Sequence, residues 1–171
     1  MATALGYARR EGWPLILHIE FGAAGPQREA LMRQLETLLA DHPEQAFALI
    51  HMAQLDHSTA RRLLAAHGNI YFITSHANPI FVAKRGKNQP WTNMFATFGT
   101  RLSGEWQEVI VAHPDRFILG FDNVYPEDWG DFYLSQVGLW RRALSEVPPD
   151  VAHAVAHDNA ERLWRLSPLP A

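Results

Sequence analysis

Short apolar runs alternate with amphipathic helical patterns along most of the chain. Four runs bounded by turn or polar residues predict buried strands over 14–19, 46–52, 69–74 and 116–121. Behind the first run, the leucine spacing from Leu31 to Leu39 predicts a helix over 27–40 with one apolar face. Behind the second, Asp56 or Ser58 can cap a helix through Leu63 that Gly68 terminates.

The second half of the chain repeats this alternation around one long interruption. Residues 76–102 show weak periodicity and predict a functional loop, because structureless connections longer than about 12 to 15 residues are uncommon in compact domains. Helices are predicted over 104–112, around Tyr133 to Leu144, and from Pro149 to about Leu166. Strands that alternate with helices imply parallel pairing with right-handed crossovers, so we predict an α/β fold and a single domain over residues 1–171.

The ends of the predicted strands carry titratable side chains. The first run ends in His18 and Glu20, the second in His51 and the fourth in Asp122. Because ligands gather at the carboxyl ends of parallel strands, these groups are expected on one rim of the sheet. Imidazole and carboxylate suit zinc and related divalent ions, which lower the pKa of bound water to about 7. The sequence therefore predicts a metal site with a water nucleophile.

Each of these residues also has a structural interpretation. A single histidine at a strand end is commonly a hydrogen-bonded structural group, and Glu20 can simply face a solvated loop. His51 can orient substrate instead of binding metal. His76 can reach the same rim or serve as a turn residue, and Trp91, with Phe95 and Phe98, can wall a substrate pocket or pack beneath the loop. We take Glu20, His76 and Trp91 as substrate-binding candidates.

Composition narrows the classes of partner. Hydrophobic residues make up 47% and charged residues 19%, which is typical of a folded globular protein. A net charge of −3 without a basic face argues against nucleic acid, and no apolar run reaches the roughly 18 residues that span a bilayer. The absence of cysteine excludes disulfides and thiolate chemistry, and the first residues lack a secretory pattern. We expect a cytoplasmic protein that binds a small molecule.

The strand-end motifs resemble the amidohydrolase-related family of TIM-barrel metal-dependent hydrolases, which includes lactonases, amide hydrolases and non-oxidative decarboxylases. Residues 113–122 are similar to the last barrel strand of that family and 149–164 to its closing helix; 14–18 and 47–51 resemble its fifth and sixth strands. The resemblance implies a partial (β/α)8 barrel with parallel strands five to eight. It further implies that His18 is a metal ligand, His51 a substrate-polarising or second-metal group, and Asp122 a ligand and water-activating base.

The resemblance also implies what the chain lacks. The family begins its barrel with a strand ending in His-x-His, a motif this sequence does not contain, so the domain is expected to start just before strand five. With only His18 and Asp122 as implied ligands, metal binding by the chain alone is expected to be weak, with zinc or manganese as the ion. Four alternatives stay open for the chain: a hydrolase of amides, lactones or esters, a metal-dependent decarboxylase, a non-catalytic remnant, or an interaction module. Open sheet edges predict a homo-oligomer unless a missing N-terminal half covers them.

Overall fold

Short parallel strands alternate with helices throughout the chain. The computed structural model describes residues 2–85, 90–96 and 99–166. Over these ranges the strands are β1 Leu15–Leu17, β2 Phe47–Leu49, β3 Ile70–Ile73 and β4 Phe117–Ile118. The helices are α1 Ala2–Glu11, α2 Arg28–Asp41, α3 His57–Ala66, α4 Pro79–Arg85, α5 Gly104–Ala112, α6 Asp131–Leu144, α7 Pro149–His153 and α8 Asn159–Trp164, the last two joined by a π-helical turn, Ala154–Asp158.

The four strands form one sheet in the order β1-β2-β3-β4, and every neighbouring pair is parallel. This confirms the predicted α/β class with parallel strands. Each strand is shorter than its apolar run, because the residues at the carboxyl ends leave the ladder and turn into loops. The residue pairs Leu17 with Leu49, Leu49 with Phe72, and Phe72 with Phe117 are in register, so these side chains share one face.

Different helices pack on the two faces of the sheet. The face that carries Leu49 and Phe72 packs against the helices and forms the main core. The opposite face carries Ala48, Ile73 and Ile118, over which residues of α8 pack. Ile16 and Ile118 therefore lie on the opposite face from Leu49 and Phe72, because side chains alternate between faces along a strand.

Helix faces follow the apolar spacing of the sequence. Buried leucines at 35 and 39 in α2 lie on one side, as do Leu63 and Leu64 in α3. The amide of buried Asn69, at the start of β3, donates to the carbonyls of Leu39 and His42 and so holds the end of α2 against the sheet. Helix α1 was not anticipated from the pattern, because only Leu5 and Ala8 of its residues are buried.

No helix among the described residues is both long and apolar enough to cross a bilayer.

The two outer strands are covered to different extents. Beside β4, the amide of Leu119 donates to the carbonyl of Val155, so the C-terminal helical segment shields that edge. Strand β1 pairs only with β2 among the described residues. Ile16 is 52% exposed. On the other side of the strand, a groove of about 770 Å³ between β1 and α2 is lined by Leu17, Leu31 and Leu38 together with polar residues. The free edge of the sheet is therefore that of β1.

We predict that the chain self-associates through β1, because unpaired strand edges with apolar side chains recruit further strands. Light-scattering mass should exceed that of one chain, and Ile16→Lys should shift it towards the monomer. Val111→Lys, which alters an exposed valine of α5, is the matched control and should leave the mass unchanged. A monomeric wild-type chain with a cooperative thermal transition would contradict this prediction.

Asp56, one of the two predicted cap residues, caps α3, whereas Ser58 lies within the helix. Its carboxylate accepts from the backbone amide and the hydroxyl of Thr59, each at 2.9 Å. Burial alone would raise the pKa of Asp56, but the hydrogen bonds from Ser58 and Thr59 outweigh it and hold the pKa below its ordinary value.

We predict that Asp56→Ala lowers the free energy of unfolding at pH 7 by about 1 kcal/mol. Asp56→Asn should keep most of the wild-type stability, because asparagine is also a good cap residue. Urea denaturation measures both; equal losses would contradict the capping role.

Candidate functional site

Polar side chains lie directly beyond the carboxyl end of each strand. His18 follows β1, His51 lies two residues after β2, His76 three residues after β3, and Asp122 four residues after β4. Because the strands are parallel and in register, these positions meet at one rim of the sheet.

His51, His76 and Asp122 form a compact group at this rim. The Nε2 atoms of the two histidines each lie 3.5 Å from the same carboxylate oxygen, Oδ2 of Asp122. One nitrogen or oxygen from each of the three residues lies within 4.8 Å of the other two. The side chains of His51, His76 and Asp122 are 4%, 12% and 29% exposed, so the group is sheltered but open on the Asp122 side.

All three residues of this group have left-handed backbone conformations. The φ angles are +58° at His51, +64° at His76 and +55° at Asp122. A left-handed conformation costs a non-glycine residue about 1–2 kcal/mol. Strained residues of this kind cluster at functional sites, where surrounding structure holds them in place. The rim therefore contains three such residues at the point where the polar side chains converge.

The left-handed conformation continues from His51 through Gln54. The side chain of Met52 is buried in the core and anchors this turn. The backbone carbonyl of Met52 accepts a hydrogen bond from the amide of Leu55. The amide of Phe21 donates to the carbonyl of Ala53, and the side-chain oxygen of Gln54 accepts from the amide of Ala23. The loop after β1 thus fixes the turn that carries His51.

Ser75 fixes the His51 ring. The Ser75 hydroxyl oxygen accepts from the His51 backbone amide at 3.2 Å and lies 3.0 Å from Nδ1 of the imidazole. Contact at Nδ1 leaves Nε2 directed at Asp122. This arrangement, in which one ring nitrogen is held and the other faces a site, is typical of histidines that bind metal ions.

Burial lowers the pKa of His51 below its ordinary value, and the nearby imidazole of His18 acts in the same direction. The carboxylate of Asp122 opposes this shift but does not overcome it. His51 is therefore a neutral imidazole at neutral pH. Only the neutral ring has a lone pair to offer a cation or a substrate proton.

His18 occupies the outer part of the rim. Its ring centroid lies 5.0 Å from that of His51, in an edge-on arrangement, and its Nε2 lies 3.3 Å from the carboxylate of Glu20. The His18 side chain is 60% exposed. The predicted residues His18 and Glu20 thus face solvent at the mouth of the site.

Aromatic residues wall the inner side. The His76 ring is stacked between His51, at 4.1 Å and 6°, and Phe81, at 3.5 Å and 9°. The Trp91 ring stands edge-on to both histidines, at 5.4 and 5.0 Å. Phe95 instead packs on Trp140 in the core, and Phe98 lies outside the described residues.

The sequence pointed to every titratable residue of this rim but not to its supports. Strand ends and the following loop singled out His18, Glu20, His51, His76, Trp91 and Asp122. The structure brings these six residues together at the rim, with His18, Glu20 and Trp91 around the compact group formed by the other three. Ser75 and Phe81 were missed. A serine beside His76 at a strand end is the signal that was available for the first; nothing local marks the second.

Comparison with known proteins identifies relatives of this chain. Residues 2–166 match the family described as Amidohydrolase. An uncharacterized TIM-barrel protein from Bordetella bronchiseptica is similar in structure, with a TM-score of 0.58 and 16% sequence identity over 96% of this chain and 50% of that one. The chain therefore spans about half the length of this solved neighbour. No curated protein matches the sequence.

The buried, neutral His51 predicts that acid destabilises the fold. Unfolded His51 takes up a proton as the pH falls through 6.5, whereas the folded residue resists protonation, so the free energy of unfolding must fall with pH below 6.5. Urea denaturation between pH 7.5 and 5.5, with chelator present, should show a shallower slope for His51→Asn than for the wild type. His153→Asn, an exposed residue of α7, is the matched control. Identical slopes for His51→Asn and the wild type would contradict the prediction.

Proposed function

The chain belongs to the amidohydrolase family, and on that basis we propose that it forms part of a metal-dependent hydrolase. The proposed substrate is a small carbonyl compound, an amide, lactone or ester, cleaved by metal-activated water. The proposal concerns the active site to which this chain contributes, because the chain spans about half of its solved neighbour.

The observation that carries the proposal is the pairing of buried His51 with Asp122 at the rim, 3.5 Å apart and aligned at Nε2 and Oδ2. Imidazole nitrogen and carboxylate oxygen are donors that zinc accepts, and manganese also accepts both. Burial keeps His51 neutral, which ligation requires. The donor set thus fits a divalent ion, with zinc as the first choice and manganese as the second.

The proposed roles of these side chains follow from the resemblance to the family. His18 and Asp122 would hold the ion, with His51 as a further ligand or as the group that polarises the substrate carbonyl. When bound, a divalent ion lowers the pKa of water to about 7 and so provides a nucleophile at neutral pH. Asp122 is open to solvent on one side, and its carboxylate can hold that water and take its proton.

The substrate is proposed to enter from the side of His18 and Glu20, which are the exposed members of the rim. Trp91 closes the opposite side, and its buried indole N–H has no acceptor within the described part of the chain. A substrate carbonyl or carboxylate oxygen would supply that acceptor and relieve the cost of an unsatisfied donor. This favours a small substrate with an oxygen acceptor beside an apolar group.

We also propose that the protein is cytoplasmic. A chain without cysteine forms no disulfides and so does not need an oxidising compartment, and its proposed substrate is a small molecule.

We predict metal-dependent turnover that requires Asp122. The purified chain, stripped with chelator and resupplied with zinc or manganese, should hydrolyse at least one of a panel of lactones, esters and anilides. Asp122→Asn should reduce the rate by about 100-fold or more, because general-base catalysis contributes roughly 10²–10⁴-fold. Asp41→Asn, which alters an exposed carboxylate at the far end of α2, is the matched control.

The reaction products distinguish hydrolysis from non-oxidative decarboxylation. Release of acid and alcohol or amine supports hydrolysis, whereas release of carbon dioxide from carboxylated substrates would replace it with non-oxidative decarboxylation. Turnover that persists in Asp122→Asn, or no turnover with any substrate class, would contradict the proposal.

A further inference from the structure

A cavity of about 570 Å³ lies at the amino ends of the strands, at the opposite end of the sheet from the rim. Its walls come from the end of α1, the segments that precede β1 and β2, the start of β3 and the end of α8. Pockets that hold small molecules usually measure about 300–1,000 Å³. The cavity is therefore large enough for a ligand of its own, and none of its lining residues belongs to the rim.

The lining of this cavity is positively charged. Arg9 of α1, Arg162 of α8 and Arg165, which follows α8, all border it, and Glu44 supplies the one carboxylate among the described lining residues. The carboxyl ends of α1 and α8 add about −0.5 charge each, which leaves a positive surplus. This concentration of cations occurs in a chain whose net charge is −3. The cavity is therefore electrostatically suited to an anion.

The three guanidinium groups keep free hydrogen-bond donors. Arg9 lies 2.7 Å from a ring nitrogen of His42, Arg165 lies 3.5 Å from the carbonyl of Glu11, and Arg162 contacts neutral oxygens through one nitrogen. Within the described part of the chain none of the three pairs with a carboxylate, whereas most of the other arginines do. A guanidinium has five N–H donors, so each retains several for an anion.

Gly12 allows Arg165 to lie against the turn that precedes β1. A Cβ atom at residue 12 would stand 2.3 Å from Nη2 of Arg165, which is too close for any side chain. Both residues have left-handed backbone conformations, with φ angles of +66° and +53°. The backbone of the two helix ends therefore seats this guanidinium beside the cavity.

The cavity also has an apolar part. Trp13 lines it and is 60% exposed, although a tryptophan side chain gains much from burial. Tyr71 and Leu163 contribute further lining and belong to the apolar cluster on this face of the sheet. Indole rings stack on planar rings, and guanidinium groups bind phosphate oxygens in pairs. A ligand with a phosphate group and a planar ring is complementary to both parts.

We propose that this cavity binds a phosphate-bearing small molecule with a planar ring, of the chemical class of nucleoside diphosphates. Arg9 and Arg165 bind the phosphate groups, Arg162 adds positive charge, and Trp13 stacks on the ring. The cavity lies at the end of the sheet away from the rim, so this ligand is distinct from the substrate of the proposed hydrolysis. The inference does not rest on the proposed function.

Isothermal titration with adenosine diphosphate, in the presence of chelator, tests the proposal. The wild type should bind one equivalent per chain. Arg9→Gln and Arg165→Gln should each weaken binding by about tenfold or more, because each removes hydrogen bonds to a charged group. Arg142→Gln is the matched control: it alters an exposed arginine of α6 that also has no carboxylate partner among the described residues, and it should leave the affinity unchanged.

Two further probes separate the phosphate groups from the ring. Pyrophosphate should bind about tenfold more weakly than adenosine diphosphate, because it lacks the ring that stacks on Trp13. Adenosine, which has the ring without the charge, should show no saturable binding. Trp13→Leu should lower the affinity for adenosine diphosphate to about that for pyrophosphate.

Controls address folding and the rim. Near-ultraviolet circular dichroism reports whether each variant keeps its packing, and Asp122→Asn should retain binding of adenosine diphosphate because the rim is not involved. No saturable binding by the wild type would overturn the proposal. Unchanged affinity in folded Arg9→Gln and Arg165→Gln, or a loss in Asp122→Asn as large as in those variants, would also overturn it.

Discussion

The left-handed backbone beyond the strands is the constraint on which the site depends. His51, His76 and Asp122 all have φ angles between +55° and +64°, and each lies within four residues of the end of its strand. A right-handed continuation at these residues would direct the side chains elsewhere. The cost of about 1–2 kcal/mol per residue must be met by the rest of the fold. Burial of Met52 and Ala53, with the hydrogen bonds from the loop after β1, supplies part of this stabilisation.

Burial then sets the chemistry of the converging groups. His51 is almost fully buried and neutral, whereas Asp122 keeps contact with water and His18 faces solvent. A site with this gradient has the neutral imidazole of His51 inside, a carboxylate at the boundary and polar groups at the mouth. The proposed cation would satisfy the inner ligand atoms, which are costly to leave unsatisfied in a sheltered environment. Substrate polarity is then expected to be greatest near His18 and Glu20.

The periodicity of the apolar residues, and the positions of polar residues at the ends of apolar runs, predicted much of this arrangement. The apolar runs located all four strands, the spacing from Gly104 to Ala112 gave α5 with its observed bounds, and strand ends located His18, His51 and Asp122. Tertiary contacts decided the rest. The sequence pattern does not show that α8 covers Ile118, and left-handed conformations at non-glycine residues have no local signal, so the inward direction of the His76 ring was not predictable.

The central claim is that the side chains at these strand ends contribute ligands to a divalent metal ion, with Asp122 as one of them. Anomalous X-ray diffraction at the zinc absorption edge, from crystals grown with one equivalent of zinc, tests it most directly. The predicted result is a single peak about 2.0–2.2 Å from a carboxylate oxygen of Asp122 and from a ring nitrogen of His18 or His51. A peak located only at side chains outside this rim, or no peak at all, would contradict it.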